Sequence, residues 1–148
     1  MRKLFFFFAL LCSFASLQAA APSAALPAAP AAPAQHPVVG NWTWTLPGKQ
    51  CTETWQYRAN GMQQGRSGEE VTQSSYEVSP VPSLLGFYRL TETLQEANGK
   101  RDCSGDLHEV SGAPLTRFIQ FSPKQEQLIV CKEESLTACF GPLKRSAD

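Results

Sequence analysis

From Val38 onward the chain alternates as a pleated strand demands. Trp42 and Trp44 stand between Asn41, Thr43 and Thr45, and Glu53, Trp55 and Tyr57 alternate with Thr52, Thr54, Gln56 and Arg58. A period of two puts each of these sets on one face of a strand. Asn60-Gly61 is the dipeptide most favoured in tight hairpin turns, so it predicts one here. A strand over Glu70 to Val78, with Tyr76 and Val78 on one face, follows and is interrupted by Pro80-Val81-Pro82. Phe87 to Leu94 reads as a further strand. Asn98-Gly99 then predicts a second hairpin, with Lys100 to Cys103 beginning its return strand. Leu115 to Phe121 and Gln127 to Lys132 flank Ser122-Pro123-Lys124-Gln125, a proline-initiated turn. Ala138 to Leu143 adds a short last strand, where Pro142 suits an edge. No window carries a helical stripe. Asp106-Leu107-His108-Glu109 has the form of a capping box, but Ser111-Gly112-Ala113-Pro114 ends any helix within about a turn. About eight short strands joined by turns predict an all-β fold, and consecutive hairpins favour a small antiparallel up-and-down β-barrel.

The first residues have a different pattern. Met1-Arg2-Lys3 is a short basic start, Leu4 to Leu17 is a largely apolar run, and Ala19-Ala20-Ala21 supplies small residues. This layout reads as a cleaved export signal over residues 1–21, too short for a comfortable membrane span. Cys12 falls inside it. Leu11 stands where an acylated cysteine would need a small neighbour, so Cys12 belongs to the discarded leader. Residues 22–37 carry regular prolines among alanines and form a semi-rigid linker with almost nothing to bury. The folded domain is expected over residues 38–145, enough for one core. The mature protein is then periplasmic or secreted, with no membrane insertion after cleavage.

Export changes the meaning of the cysteines. Cys51, Cys103, Cys131 and Cys139 are an even set in an oxidising compartment, so two disulfides are the expected use. Four cysteines allow three pairings; Cys131–Cys139 and Cys51–Cys103 are favoured. The first would staple two successive strands, and the second would tie the early half of the fold to its middle. No Cys-x-x-Cys pair is present, and seven residues separate Cys131 from Cys139, which argues against zinc. No metal or other cofactor is expected.

Charge narrows the partners. Loss of Arg2 and Lys3 with the leader leaves 11 basic residues against 13 acidic, and no basic stripe is present. Nucleic acid is therefore not an expected partner. Catalytic signals are sparse, and an enzyme is not expected. His108 lies near Asp102, Asp106 and Glu109, a setting for a general base or for a solvated loop. Ser67, in Gly65-Arg66-Ser67-Gly68, is not in a nucleophile elbow. Glu53 shares its strand face with Cys51, Trp55 and Tyr57. If that face points inward, burial raises the carboxyl pKa or demands a partner such as Arg89.

Ten aromatic residues remain after the leader. In a small barrel they either fill the interior or line a cup. Gly40-Asn41-Trp42 resembles the Gly-x-Trp that opens the first strand of lipocalin-like (calycin) barrels, here of an exported bacterial type. The resemblance implies a glycine that allows close chain approach and a tryptophan that plugs the closed end. It also implies a basic residue near the last strand, Lys144 or Arg145, packed over that tryptophan. The Thr-Asp-Tyr-like turn of that family is missing. The expected function is binding of a small apolar ligand in or at the mouth of the barrel, with Trp42, Trp55, Tyr57, Tyr76, Phe118 and Glu53 as candidate ligand-binding residues. The alternative is an interaction or inhibitor module that engages an exported protein partner through the loops Gly65 to Glu70 and Pro80 to Gly86.

Overall fold

The computed structural model describes residues 34–147. The expected leader, residues 1–21, and residues 22–33 of the expected linker lie outside the described residues. Eight strands follow in order: β1 (Gly40–Thr45), β2 (Thr52–Tyr57), β3 (Met62–Ser67), β4 (Glu70–Val78), β5 (Tyr88–Ala97), β6 (Pro114–Phe121), β7 (Gln127–Cys131) and β8 (Cys139–Ser146). Each pairs antiparallel with the next. The sheet closes where β8 returns to β1, with Trp42 opposite Arg145 and Asn41 opposite Ser146. The fold is the up-and-down barrel that the alternation predicts, and closure removes every free sheet edge.

Three elements differ from expectation. First, β3 was legible only as a turn followed by a loop. It pairs with β4 from Met62–Ser75 to Ser67–Glu70, leaving Gly68-Glu69 as a two-residue hairpin loop. Gly68 has φ 61°, the conformation needed at the first central position of a type II′ turn. A Cβ there would also come within 3.2–3.3 Å of the Arg101 to Cys103 backbone. Second, Lys100 to Cys103 is not a return strand. Asn98 begins a long loop instead; its side-chain oxygen accepts from the Val71 and Lys100 amides, and its amide donates to the Glu69 carbonyl. Third, Pro142 lies within a strand of the closed barrel rather than on a sheet edge, at a point without a ladder partner, because β8 meets β1 only from Lys144 to Ser146. It sits where the β7–β8 register shifts, with Leu128 opposite Leu143 but Val130 opposite Phe140. That bulge leaves one residue without a ladder partner, and a residue lacking an N–H fits there. No helix forms over Asp106 to Glu109; the Asp102 carboxylate instead accepts from the Ser104 and Asp106 amides.

The inward side chains change character along the barrel. At the end where β1 starts and β8 finishes they are large and apolar: Trp42, Tyr57, Tyr76, Leu90, Ile119, Leu128, Val130 and Leu143, with Val38 below them, form the buried cluster. Trp42 is fully buried. Its indole N–H donates to the Val38 carbonyl at 2.8 Å, and the Arg145 guanidinium lies 4.2 Å from its ring centroid. The same guanidinium donates to the carbonyls of Gln125, Val39 and Pro37 at 3.0, 2.9 and 2.6 Å. A Cβ on Gly40 would stand 2.5 Å from an Arg145 nitrogen, so the glycine makes room for the cation. Arg145, not the exposed Lys144, occupies the place over the tryptophan. His36 closes this end from below, its ring edge-on to Tyr88 at 4.8 Å.

Both disulfides sit at the opposite end. Cys51–Cys103 and Cys131–Cys139 are the pairs present. The first anchors the β5–β6 loop to the β1–β2 loop, and the second ties the last residue of β7 to the first of β8.

Candidate functional site

Toward the disulfide end the inward positions become polar and the barrel is hollow. A cavity of about 620 Å³ opens there, within the size range of small-molecule sites. Trp44, Trp55 and Phe140 form an aromatic wall, with the Phe140 ring 5.1 Å from Trp44 and 5.6 Å from Trp55. Leu94, Leu107 and Leu115 add aliphatic surface. Gln63, Gly65 and Ser67 of β3 face the same space, as do Glu70, Thr72 and Ser74 of β4. These are positions where a filled barrel would place large apolar groups.

Four ionisable groups project into the cavity from the strands: Glu53, Glu70, Glu92 and Arg117. Glu53 is half-buried and accepts a hydrogen bond from the Ser67 hydroxyl at 2.7 Å. Ser67 Oγ in turn accepts from the Cys103 amide at 3.0 Å, so the disulfide-anchored loop orients the hydroxyl that serves Glu53. Burial raises the Glu53 pKa above its ordinary value; Ser67 opposes the rise, Asp102 and Glu70 add to it, and Arg117 opposes it. Glu92 accepts from the Tyr57 hydroxyl at 2.9 Å. Burial raises its pKa too, against the Tyr57 hydrogen bond and Arg117. The Tyr57 phenol is pushed well above its usual range by burial and then by the neighbouring Glu92 charge. The cation near Glu53 is therefore Arg117, not Arg89, which is exposed on the outward face of β5.

Glu70 is the most deeply buried of the acids and lies 2.8 Å from His108 Nδ1. His108 thus meets an acid from β4 rather than its sequence neighbours. Its loop, residues 98–113, forms one rim of the cavity and is held at several points. Lys49 donates to the Cys103 carbonyl at 2.9 Å, the Cys51 disulfide holds Cys103, and Gly68 lies against Arg101 to Cys103. Among the described residues no group of three or more histidine, cysteine or acidic side chains is placed to hold a metal ion.

The sequence-derived candidates separate by depth. Glu53 and Trp55 line the cavity. Tyr57 lies in the buried cluster and reaches the cavity only through its hydroxyl on Glu92. Tyr76 packs edge-on to Tyr57 at 5.0 Å and donates to the Arg58 carbonyl at 2.7 Å, within the closed end. Trp42 is the plug beneath and does not line the cavity. Phe118 follows Arg117 and precedes Ile119, both inward, so strand parity turns it outward; it is not a wall residue. Sequence reading passed over Trp44, Glu92, Arg117 and Phe140. Trp44 lies one inward step above Trp42 on β1, and Glu92 one above Leu90 on β5, so alternation carries a signal for both. The two loops considered for docking lie at opposite ends: Gly68-Glu69 near the cavity, Pro80 to Gly86 at the closed end.

The charge pattern predicts a pH response. Glu53 and Glu92 have folded-state pKa values above the ordinary 4.5, so the native state binds protons more tightly than the unfolded chain. Their ionisation costs stability as pH rises above 4.5, and the cost is complete once pH passes the raised folded values. Glu92→Gln keeps an acceptor for Tyr57 and removes one such charge. Urea unfolding of this variant should give a higher midpoint than wild type at pH 7 and a difference that shrinks toward pH 4.5. A lower midpoint at pH 7 would show that Arg117 outweighs burial at this site.

In comparisons with known proteins, no family model, no curated protein and no solved structure matches this chain.

Proposed function

We propose that the chain is an exported, disulfide-stapled, lipocalin-like module that binds a small molecule in the cup at the open end of its barrel. The observation that carries this reading is the gradient of inward side chains: one end is filled and sealed by Trp42 and Arg145, while the other is left hollow between aromatic and polar walls. A barrel serving only as a rigid scaffold gains nothing from leaving its upper interior unfilled, since each lost core contact lowers stability. Export to the periplasm or beyond is supported by the two disulfides and by the leader-like first 21 residues. The wall is more polar than the expected apolar ligand calls for, because Glu70, Glu92 and Arg117 join the candidate Glu53 among the aromatics.

Tryptophan fluorescence tests the reading. Titration with 2-phenylethanol should change the emission of Trp44 and Trp55 saturably, and Trp55→Ala should abolish most of the change while the variant stays folded. No saturable change with this alcohol or with its amine and carboxylate counterparts, or a change that Trp55→Ala leaves intact, would mean that the cup is not the binding site.

A second reading, protein interaction at the closed end, is supported by the β4–β5 loop. There Leu84 is fully exposed and Leu85 and Val81 are more than half exposed. Apolar side chains that reach solvent together are a common mark of a docking tip.

A further inference from the structure

Resting on the ligand-binding reading, we propose that the cup selects a small organic cation, an amine or quaternary ammonium carrying an apolar ring. Its positive charge is held by Glu53 and Glu92, and its ring lies against Trp44, Trp55 and Phe140.

Three observations converge on this class. The first is the charge balance of the wall: its lining holds Glu53, Glu70, Glu92, Asp102 and Glu109 against Arg117, His108 and the exposed Arg66, and of the two arginines only Arg117 projects inward. A concave, partly desolvated site with that excess concentrates cationic ligands and repels anions. The second is how the carboxylates are satisfied. Among the described residues Glu70 is the only acid with a lysine, arginine or histidine nitrogen within 4.0 Å, His108 Nδ1 at 2.8 Å, so Glu70 is already engaged. Glu53 and Glu92 each accept from one neutral hydroxyl, Ser67 or Tyr57, and neither has a cationic side chain in ion-pair contact. A carboxylate has about four acceptor positions, so both retain capacity for an ammonium donor. The third is the wall itself. The Arg117 guanidinium already lies 5.7 Å from the Phe140 ring centroid, so this aromatic group stands in the geometry that attracts a cation. Burial raises the pKa of both Glu53 and Glu92 and Arg117 opposes the rise; an ammonium seated at the two carboxylates would oppose it further. The charge of Arg117 disfavours a second cation close to Phe140, and this directs the ligand's charged end toward the carboxylates and its ring toward the tryptophans.

A matched ligand series on the oxidised protein tests the class without any substitution. Calorimetric titration at pH 7 compares 2-phenylethylamine, 2-phenylethanol and phenylacetate, which share a ring and differ in charge. The amine should bind at least about tenfold more tightly than the alcohol, and phenylacetate more weakly than either. In the Glu53→Gln, Glu92→Gln double variant the preference for amine over alcohol should fall to within about twofold. Equal binding of amine and alcohol by wild type would overturn the cation assignment while leaving the cup a binding site. Tightest binding of phenylacetate would overturn it in favour of Arg117 as the recognition group. No binding of any of the three would overturn both the assignment and the reading it rests on.

Discussion

Trp42→Ala is expected to cost the barrel roughly 3–5 kcal/mol, enough to leave many small domains unfolded at 37 °C. The indole is fully buried among Val38, Leu143 and their neighbours, and it bridges the bottom of the barrel from wall to wall. Truncation leaves a sealed void that the closed sheet cannot collapse into. It also strips the Val38 carbonyl of its donor and the Arg145 guanidinium of the ring beneath it. The loss should reach further than the cavity alone, because Arg145 gathers three carbonyls from the N-terminal segment and the β6–β7 turn around that ring. Trp55→Ala is the informative contrast. Its side chain faces space that is already open, so about 1–2 kcal/mol is expected from lost burial without a new sealed void. Urea denaturation of the two variants should separate them clearly; equal losses would mean that the open end is packed as tightly as the closed one.

Removing the Cys51–Cys103 crosslink is the second large change. The bond spans 52 residues, and the chain-entropy account assigns about 4 kcal/mol to closing a loop of that length. The Cys131–Cys139 bond spans 8 residues and is worth roughly 2.5 kcal/mol on the same account. Cys51→Ala with Cys103→Ala should therefore lower unfolding stability more than the matching pair at 131 and 139. Its effect on the site should also differ. Cys103 gives its amide to Ser67, whose hydroxyl serves Glu53, and its loop supplies His108 and Leu107 to the rim. Freed from Cys51, that loop retains only hydrogen bonds and the His108–Glu70 contact to hold it over the opening. Ligand affinity should drop even under conditions where the barrel stays folded. A stability loss larger for the 131–139 pair would contradict this ordering, and affinity unchanged in the 51–103 variant would show that the loop takes no part in binding.

Much of the barrel was legible because most strands have one apolar face. Trp42 with Trp44 and Trp55 with Tyr57 declare their parity by alternation, and the successive turns favour an up-and-down order. An even cysteine set pointed to two disulfides and left three pairings open, of which the favoured one is present. β3 escaped because its inward residues, Gln63, Gly65 and Ser67, face the cavity; a strand lining a polar space lacks the contrast that marks a strand lining a core. The Asn98-Gly99 turn misled for a related reason. Local preference set a chain reversal there, but the Asn98 side chain ties it to β4 and the Cys51 bond holds the following segment away from the sheet. The site itself was half legible. Glu53 and Trp55 could be placed together from one strand. Phe118 could not be assigned a side, because apolar residues occur at both parities in Phe118-Ile119. Glu92 and Arg117 sit at inward positions on β5 and β6, and they show their meaning only once closure brings those strands round to face β2.

The division of the barrel into a sealed end and an open cup is tested most directly by the three indole N–H resonances, followed in a ¹H–¹⁵N correlation spectrum during titration with 2-phenylethylamine. Trp44 and Trp55 should shift together and saturate, while Trp42, hydrogen-bonded to Val38 beneath the core, should hold its position. Movement of Trp42 with the other two, or no movement of Trp44 and Trp55 at saturating amine, would contradict it.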